Sequence, residues 1–223
     1  MAGSFVDIAQ TCAPMVQVET LAGIVSLESR FQPFVIRINS GPPLVAQPLS
    51  KAEAIEVATS LIADHQDIQI GLGGIGIEQL QKLKLSVADA FDPCLNLKAT
   101  ATLLDGYYRV ALGAGDDPAH AERVMLQSYY GRDNPSVGAM VKYDEQVRQE
   151  MNRLSTRLAS LTIGEADDHA GSGGQPQEEA APALPEQPSQ IAQTAEAASW
   201  DVFNSRRQSS VLVFQNDRSE QSE

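Results

Sequence analysis

From Gly164 to Ser199 the chain is built of Gly, Pro, Gln, Glu, Ala and Ser, with almost no large apolar residue. A stretch of this kind cannot bury enough apolar surface to offset the entropy of ordering it. It reads as a disordered linker, so any core must be assembled from the residues before it. The charge divides at the same place. Residues 161–223 carry 11 acidic and 3 basic side chains, in a chain whose formal net charge is -13. The expected organisation is a folded domain over residues 1–160, an acidic linker over 161–199 and a tail over 200–223. Within the tail, Trp200 to Phe214 (WDVFNSRRQSSVLVF) holds the single Trp and two Phe. Two readings stay open for it: an occasional apolar cluster, or a linear motif that docks on a partner's edge strand or groove.

Before residue 160 the helical signals dominate. Leu21, Ile24, Val25 and Glu28 share one face of a short helix at three- and four-residue spacing. Ser50 with Glu53 has the form of a capping box, followed by Ile55, Ala58, Leu61 and Ile62 at helical spacing. Asp92 and Pro93 open a further helix, with Asp as cap and Pro in the first position, running through Leu97, Ala101 and Leu104 to Tyr108. Ala119 to Tyr130 reads as a helix ending at Gly131. A last amphipathic stripe carries Val147, Met151, Leu154, Leu158 and Leu161. Strand signals are few, Phe34 to Ile38 being the best. The fold class expected is mainly α, in a domain large enough for a real core.

Composition removes several function classes. A chain this acidic is poorly suited to sequence-independent nucleic-acid binding, which sets Lys and Arg against phosphate. No stretch approaches the roughly 18–20 apolar residues that span a bilayer. Met1 to Gln10 has neither a basic region nor an apolar run, so no secretory signal is read there. His65, His120 and His169 lie far apart, and no Cys/His metal spacing is present, so no metal or cofactor is expected.

Four features are suited to chemistry. Glu28 ends an apolar helix that must stop before Pro33. A carboxyl group beside apolar and aromatic neighbours is the environment a general acid uses, although a solvated Glu at a helix end has the same sequence. Gly71-Leu72-Gly73-Gly74-Ile75-Gly76 puts four glycines in six residues, which suits unusual backbone angles or close approach by a ligand. No strand with a crossover unit surrounds it, so it is not read as a dinucleotide loop, and no Gly-Lys-Ser/Thr follows as in a Walker loop. Tyr129 and Tyr130 close a helix at Gly131, and Tyr143 stands near the start of the last one. Tyrosines there can offer ring faces and hydroxyls to a sugar, or sit half-buried in the core.

The order of these motifs resembles the lytic transglycosylases, and in particular the transglycosylase subunit of type IV secretion systems. The motifs are Glu28-Ser29-x-Phe31-x-Pro33, Gly71-Leu72-x-x-Ile75, Ser128-Tyr129-x-Gly131 and Tyr143, with Cys12-Ala13-Pro14 and Phe91-Asp92-Pro93-Cys94-x-Asn96-Leu97 as further hallmarks. The resemblance covers about residues 5–153. It implies a lysozyme-like, mainly helical domain with two lobes around a glycan cleft. It implies that Glu28 acts as acid and then as base on peptidoglycan, giving a 1,6-anhydro sugar at the bond between N-acetylmuramic acid and N-acetylglucosamine. By position, Ser29 would orient Glu28. Gly71, Leu72, Gly73, Gly74, Ile75, Tyr129 and Tyr130 would line the substrate site, and Tyr143 would stabilise the sugar or Glu28. It implies a Cys12–Cys94 disulfide, where the residues alone leave two buried thiols as the alternative. It also implies a periplasmic location, and a tail that contacts other secretion subunits.

Gly74 and Gly76 depart from the family pattern, standing where Gln and Asn are usual. Two polar groups expected near the substrate are thereby missing, at a cost of about 1–3 kcal/mol per lost hydrogen bond to a buried group. Two other readings follow. One is a peptidoglycan-binding assembly scaffold with little or no activity. The other is a hydrolytic lysozyme, which would leave reducing ends.

Overall fold

A computed structural model describes residues 4–164. The linker from residue 165 on and the segment Trp200 to Phe214 lie outside the described residues. The described fold is mainly helical, with one small sheet, and fits the lysozyme-like class expected from the sequence.

Helix α1 (Phe5–Cys12) leads into α2 (Val18–Ser29), the central helix, of whose 12 residues nine are buried. A helix that is apolar nearly all round has to be enclosed by others, and α2 packs chiefly on α9 (Tyr143–Leu154). Ser26 ties the two together, donating to Glu150 Oε2 at 2.6 Å and accepting from Arg153 Nη2 at 3.1 Å. The end of α2 is abrupt. Arg30 and Phe31 both take left-handed backbone angles, φ 51 and 62, a conformation costing L residues roughly 1–2 kcal/mol each. Burial of Phe31 against Phe5, ring centroids 5.1 Å apart and nearly perpendicular, offsets it. Pro33 then follows in a turn, past the end of the helix.

The strands form a three-stranded antiparallel sheet in the order β1 (Ile36–Ile38), β2 (Ile68–Ile70), β3 (Ile75–Gly76). Arg37 is paired with Gln69 across β1 and β2. Helix α3 (Lys51–Ala63) joins β1 to β2, with Ser50 Oγ accepting from Glu53 N at its start. After β3 come α4 (Ile77–Lys82), α5 (Val87–Ala90) and α6 (Pro93–Gly113). Asp92 caps α6 through Leu95 N at 3.0 Å, and the helix runs five residues past Tyr108. Helices α7 (Pro118–Tyr130) and α8 (Pro135–Met140) precede α9. The last apolar stripe is only partly helical: α9 stops at Leu154, Leu158 opens a short 3-10 turn, and Leu161 follows in extended chain.

The apolar residues gather in two clusters. One surrounds α2 and includes Phe5, Leu21, Ile24, Leu97, Leu126 and Val147. The other lies under the sheet and includes Ile36, Ile68, Ile70, Ile75, Leu80 and Phe91. These are the two lobes. Leu161 and Ile163 are buried in the first, and Phe5 N donates to Leu161 O at 2.9 Å, so packing continues past residue 160. Cys12 and Cys94 form a disulfide between α1 and the start of α6, Cα atoms 5.4 Å apart. Among the described residues no helix is long and apolar enough to cross a membrane, and no cluster of His, Cys, Asp and Glu is arranged to hold a metal ion.

Candidate functional site

Glu28 lies on the last turn of α2, facing the other lobe, with its side chain only 4 % exposed. A buried carboxylate needs partners to replace the water it has lost. Tyr143, at the start of α9, donates its hydroxyl to Glu28 Oε1 at 2.6 Å. Arg37, from the middle of β1, donates through Nη2 to Glu28 Oε2. Loss of water, reinforced by the negative charge of Glu28, pushes the Tyr143 hydroxyl well above the ordinary tyrosine range, so it stays protonated and can donate.

Arg37 is held in turn by Gln69, its cross-strand partner, whose Oε1 accepts from Nε at 2.8 Å and from Nη2 at 2.5 Å. The Arg37 side chain is 40 % exposed, and it lines a cleft of about 450 Å³ between the lobes. The sheet supplies Arg37, Ile38, Asn39 and Gln69 to that cleft. Tyr130, Gly131, Arg132 and Val137 supply the opposite wall. Glu28 is thus reached from the cleft past the Arg37 guanidinium.

The glycine segment is the turn from β2 through β3 into α4. Gly74 has φ 62, and a Cβ built there would stand 2.7 Å from Glu28 Oε2 and 3.3 Å from Arg37 Nη2. The space a side chain would take is the space of the ion pair. A Cβ at Gly76 would stand 2.5 Å from Gln79 Oε1 and 3.5 Å from Arg132 Nε. The two positions expected to lack polar groups are therefore filled from elsewhere, by Arg37 at one and by Gln79 and Arg132 at the other. Asn96, fully buried on α6, pins the turn: its Oδ1 accepts from Gly73 N at 2.8 Å and its Nδ2 donates to Ala90 O at 2.7 Å.

The other candidates fall into two groups. Gly71, Leu72 and Ile75 are buried, with Leu72 in the α2 cluster and Ile75 in the sheet cluster, so they shape the turn rather than face the cleft. Ser29 bonds back along its own helix, donating to Val25 O at 3.1 Å, and its hydroxyl is not directed at Glu28. A serine at a helix end commonly satisfies itself in this way. Tyr129 donates to Gly73 O at 2.6 Å, bracing the turn, and burial raises its hydroxyl far above the ordinary range. Tyr130 is the exposed one of the pair. It lines the cleft and packs its ring on Tyr143, centroids 4.9 Å apart.

Arg37, Gln69 and Arg132 are the residues of the site that sequence reasoning missed, and Asn96 was singled out only as part of a motif, without a role. A signal existed for the first two. Ile36-Arg37-Ile38 and Ile68-Gln69-Ile70 are both apolar triplets with a polar centre, the alternation of a half-buried strand. No such pattern marks Arg132, which reaches the cleft because it and Asp133 take left-handed angles, φ 51 and 79, just after α7.

No protein-family model matches the chain. It is 42% identical over 108 residues to a protein named type IV secretion system protein virB1 from Brucella abortus biovar 1 (strain 9-941), an alignment covering 48% of this chain and 45% of that protein. It is 29% identical over 175 residues to protein virB1 of Agrobacterium fabrum (strain C58 / ATCC 33970), covering 77% of this chain and 67% of that one. The corresponding figures for protein virB1 of Rhizobium radiobacter are 28% over 169 residues, 74% and 66%. The chain thus spans about half the length of the Brucella relative. No solved structure matches.

Proposed function

From the premise that the chain is a homologue of the VirB1 proteins of type IV secretion systems, we propose that it is a peptidoglycan lytic transglycosylase serving such an apparatus. The observation that carries this reading is Glu28: a buried carboxyl group behind Arg37, which lines the interlobe cleft, and hydrogen-bonded by Tyr143. A hydrolytic glycosidase ordinarily needs a second carboxyl group to act as nucleophile or to activate water, whereas a lytic reaction needs one.

In the proposed cycle protonated Glu28 gives its proton to the glycosidic oxygen as the bond from C1 of N-acetylmuramic acid breaks. The resulting carboxylate takes the proton of the C6 hydroxyl as that oxygen closes on C1. The products are a 1,6-anhydro end and a new free hydroxyl on N-acetylglucosamine. No water is consumed, and Glu28 ends protonated, as it began. Tyr143 fixes one carboxyl oxygen by a donor that keeps its proton throughout. Tyr130 offers a ring edge to the sugar. Gly73 and Gly74 bring backbone close to the reacting bond, with Asn96 and Tyr129 bracing the turn behind them. A peptidoglycan substrate would put the reaction in the periplasm, where the Cys12–Cys94 disulfide would be stable. The acidic tail, with Trp200 to Phe214, would then be the part that contacts other secretion subunits.

The test is mass spectrometry of muropeptides released from purified sacculi by the full chain and by Glu28→Gln. Anhydro-muropeptides from the first and none from the second are expected. Reducing-end products would move the assignment to a lysozyme. The Arg37–Glu28 ion pair favours one competing reading, a scaffold that binds glycan without cutting it. Sacculus binding with no product from the folded protein would establish that reading instead.

A further inference from the structure

The cleft beside Glu28 carries two arginines, one on each wall. Arg37 comes from the sheet and Arg132 from the turn after α7. Both have capacity left over. Arg37 donates through Nε and Nη2, and Arg132 pairs with both oxygens of Asp67 through Nη1 alone, at 2.8 and 3.0 Å. A guanidinium has five N–H donors in a planar fork. Among the described residues no protein acceptor meets the remaining donors of either. Both side chains are partly exposed, 40 % for Arg37 and 25 % for Arg132. The acids that pair with them, Glu28 and Asp67, are not among the residues that line the cleft. The two guanidiniums also stand near Gly74 and Gly76, 3.3 and 3.5 Å from where a Cβ would lie, though Glu28 and Gln79 come closer.

We infer that this cleft is an anion-reading subsite, in which Arg37 and Arg132 bind a carboxylate borne by the glycan strand. The inference rests on the proposed substrate. Planar bidentate recognition of carboxylate is what arginine does better than lysine. Two carboxylates of the substrate have the right chemistry, the lactyl group of an unsubstituted muramic acid and the acidic positions of its peptide. Binding either one would draw Arg37 from Glu28 toward the substrate and leave the carboxyl group free for the glycosidic oxygen. The subsite would couple recognition of the muramoyl residue to exposure of the acid.

Bulk electrostatics works against this, which makes the test one of sign. A chain of net charge -13 is repelled by an anionic polymer, so non-specific attraction would favour a neutralised one. The experiment is binding of the full chain to bead-immobilised glycan in three forms: native sacculi, sacculi carboxyl-capped with carbodiimide and methylamine, and amidase-stripped strands on which only lactyl carboxylates remain. The wild-type chain is expected to bind native sacculi at least about tenfold tighter than capped ones, the equivalent of one charge-assisted hydrogen bond. Arg132→Gln is expected to lose that preference while matching the wild type on capped sacculi, and Arg37→Gln to lose it too, with thermal melts showing both folded. Retained binding to stripped strands assigns the lactyl carboxylate, and loss there assigns the peptide. Equal wild-type binding to native and capped sacculi overturns the inference, as does an equal loss by the variants on both. Binding that depends on carboxylate and arginine without any bond cleavage would keep the subsite and remove the transglycosylase. Cleavage with no carboxylate preference would do the reverse.

Discussion

Gly74→Ala tests the site's geometry at its tightest point. Gly74 holds φ 62, and an added Cβ would stand 2.7 Å from Glu28 Oε2 and 3.2 Å from Glu28 Cβ. The backbone term alone costs an L residue about 1–2 kcal/mol. For a domain of this size that lowers the melting temperature by roughly 2–8 °C. The steric term falls on the carboxylate. An unstrained carbon–oxygen contact needs several tenths of an ångström more than the 2.7 Å available, so either Glu28 moves or the turn does. Misplacement of a reacting group by up to 1 Å costs about 10–100-fold in rate. The assays are a thermal melt and the rate of soluble muropeptide release. The matched control is Gly106→Ala on α6, where a Cβ meets nothing within 4 Å. There alanine should stabilise by about 0.4–1 kcal/mol and leave the rate alone. Should Gly74→Ala melt and cut like the wild type, the close packing of the turn on Glu28 would be refuted.

Three further outcomes are expected. Tyr143→Phe removes the donor to Glu28 Oε1; a hydrogen bond to a charged group is worth about 1.5–3 kcal/mol, so kcat should fall about 10–100-fold with KM little changed, as read from initial rates. Reducing the Cys12–Cys94 bridge, which closes a separation of 82 residues, should lower unfolding free energy by about 2–4 kcal/mol in denaturant titrations with and without reductant. Glu150 is held below the ordinary value of 4.5 by hydrogen bonds from Arg153 and then Ser26. Its contribution is therefore present above pH 4.5 and lost as pH falls through its lower folded value, so Glu150→Gln should flatten the acid limb of stability against pH while changing it little in the acid extreme.

Much of the helical frame was legible because its signals are local. The Ser50 and Asp92 caps, the Pro93 start and the stop before Pro33 each depend on a few adjacent residues. The apolar stripe ending at Leu161 misled because spacing shows which residues are buried, not whether the backbone stays helical: Leu154 and Leu161 are both buried, but only the first is in α9. The sheet was mostly missed because strands of two or three residues carry almost no periodicity, so the pairing of Arg37 with Gln69 went unseen. The pattern of motifs led to Glu28 and Tyr143, which stand 115 positions apart and meet in one hydrogen bond. It was silent on what fills the space at Gly74 and Gly76, since that depends on residues from other elements approaching in three dimensions.

The central claim is that one carboxyl group at Glu28 cleaves the strand without water. Digestion of sacculi by the full chain in water enriched in oxygen-18 tests it directly, with the released muramoyl ends weighed by mass spectrometry. The account predicts ends lighter than the reducing sugar by one water and free of the heavy isotope. Reducing ends carrying oxygen-18 at C1 would contradict it, and would mean that water, not the C6 hydroxyl, attacks beside Glu28.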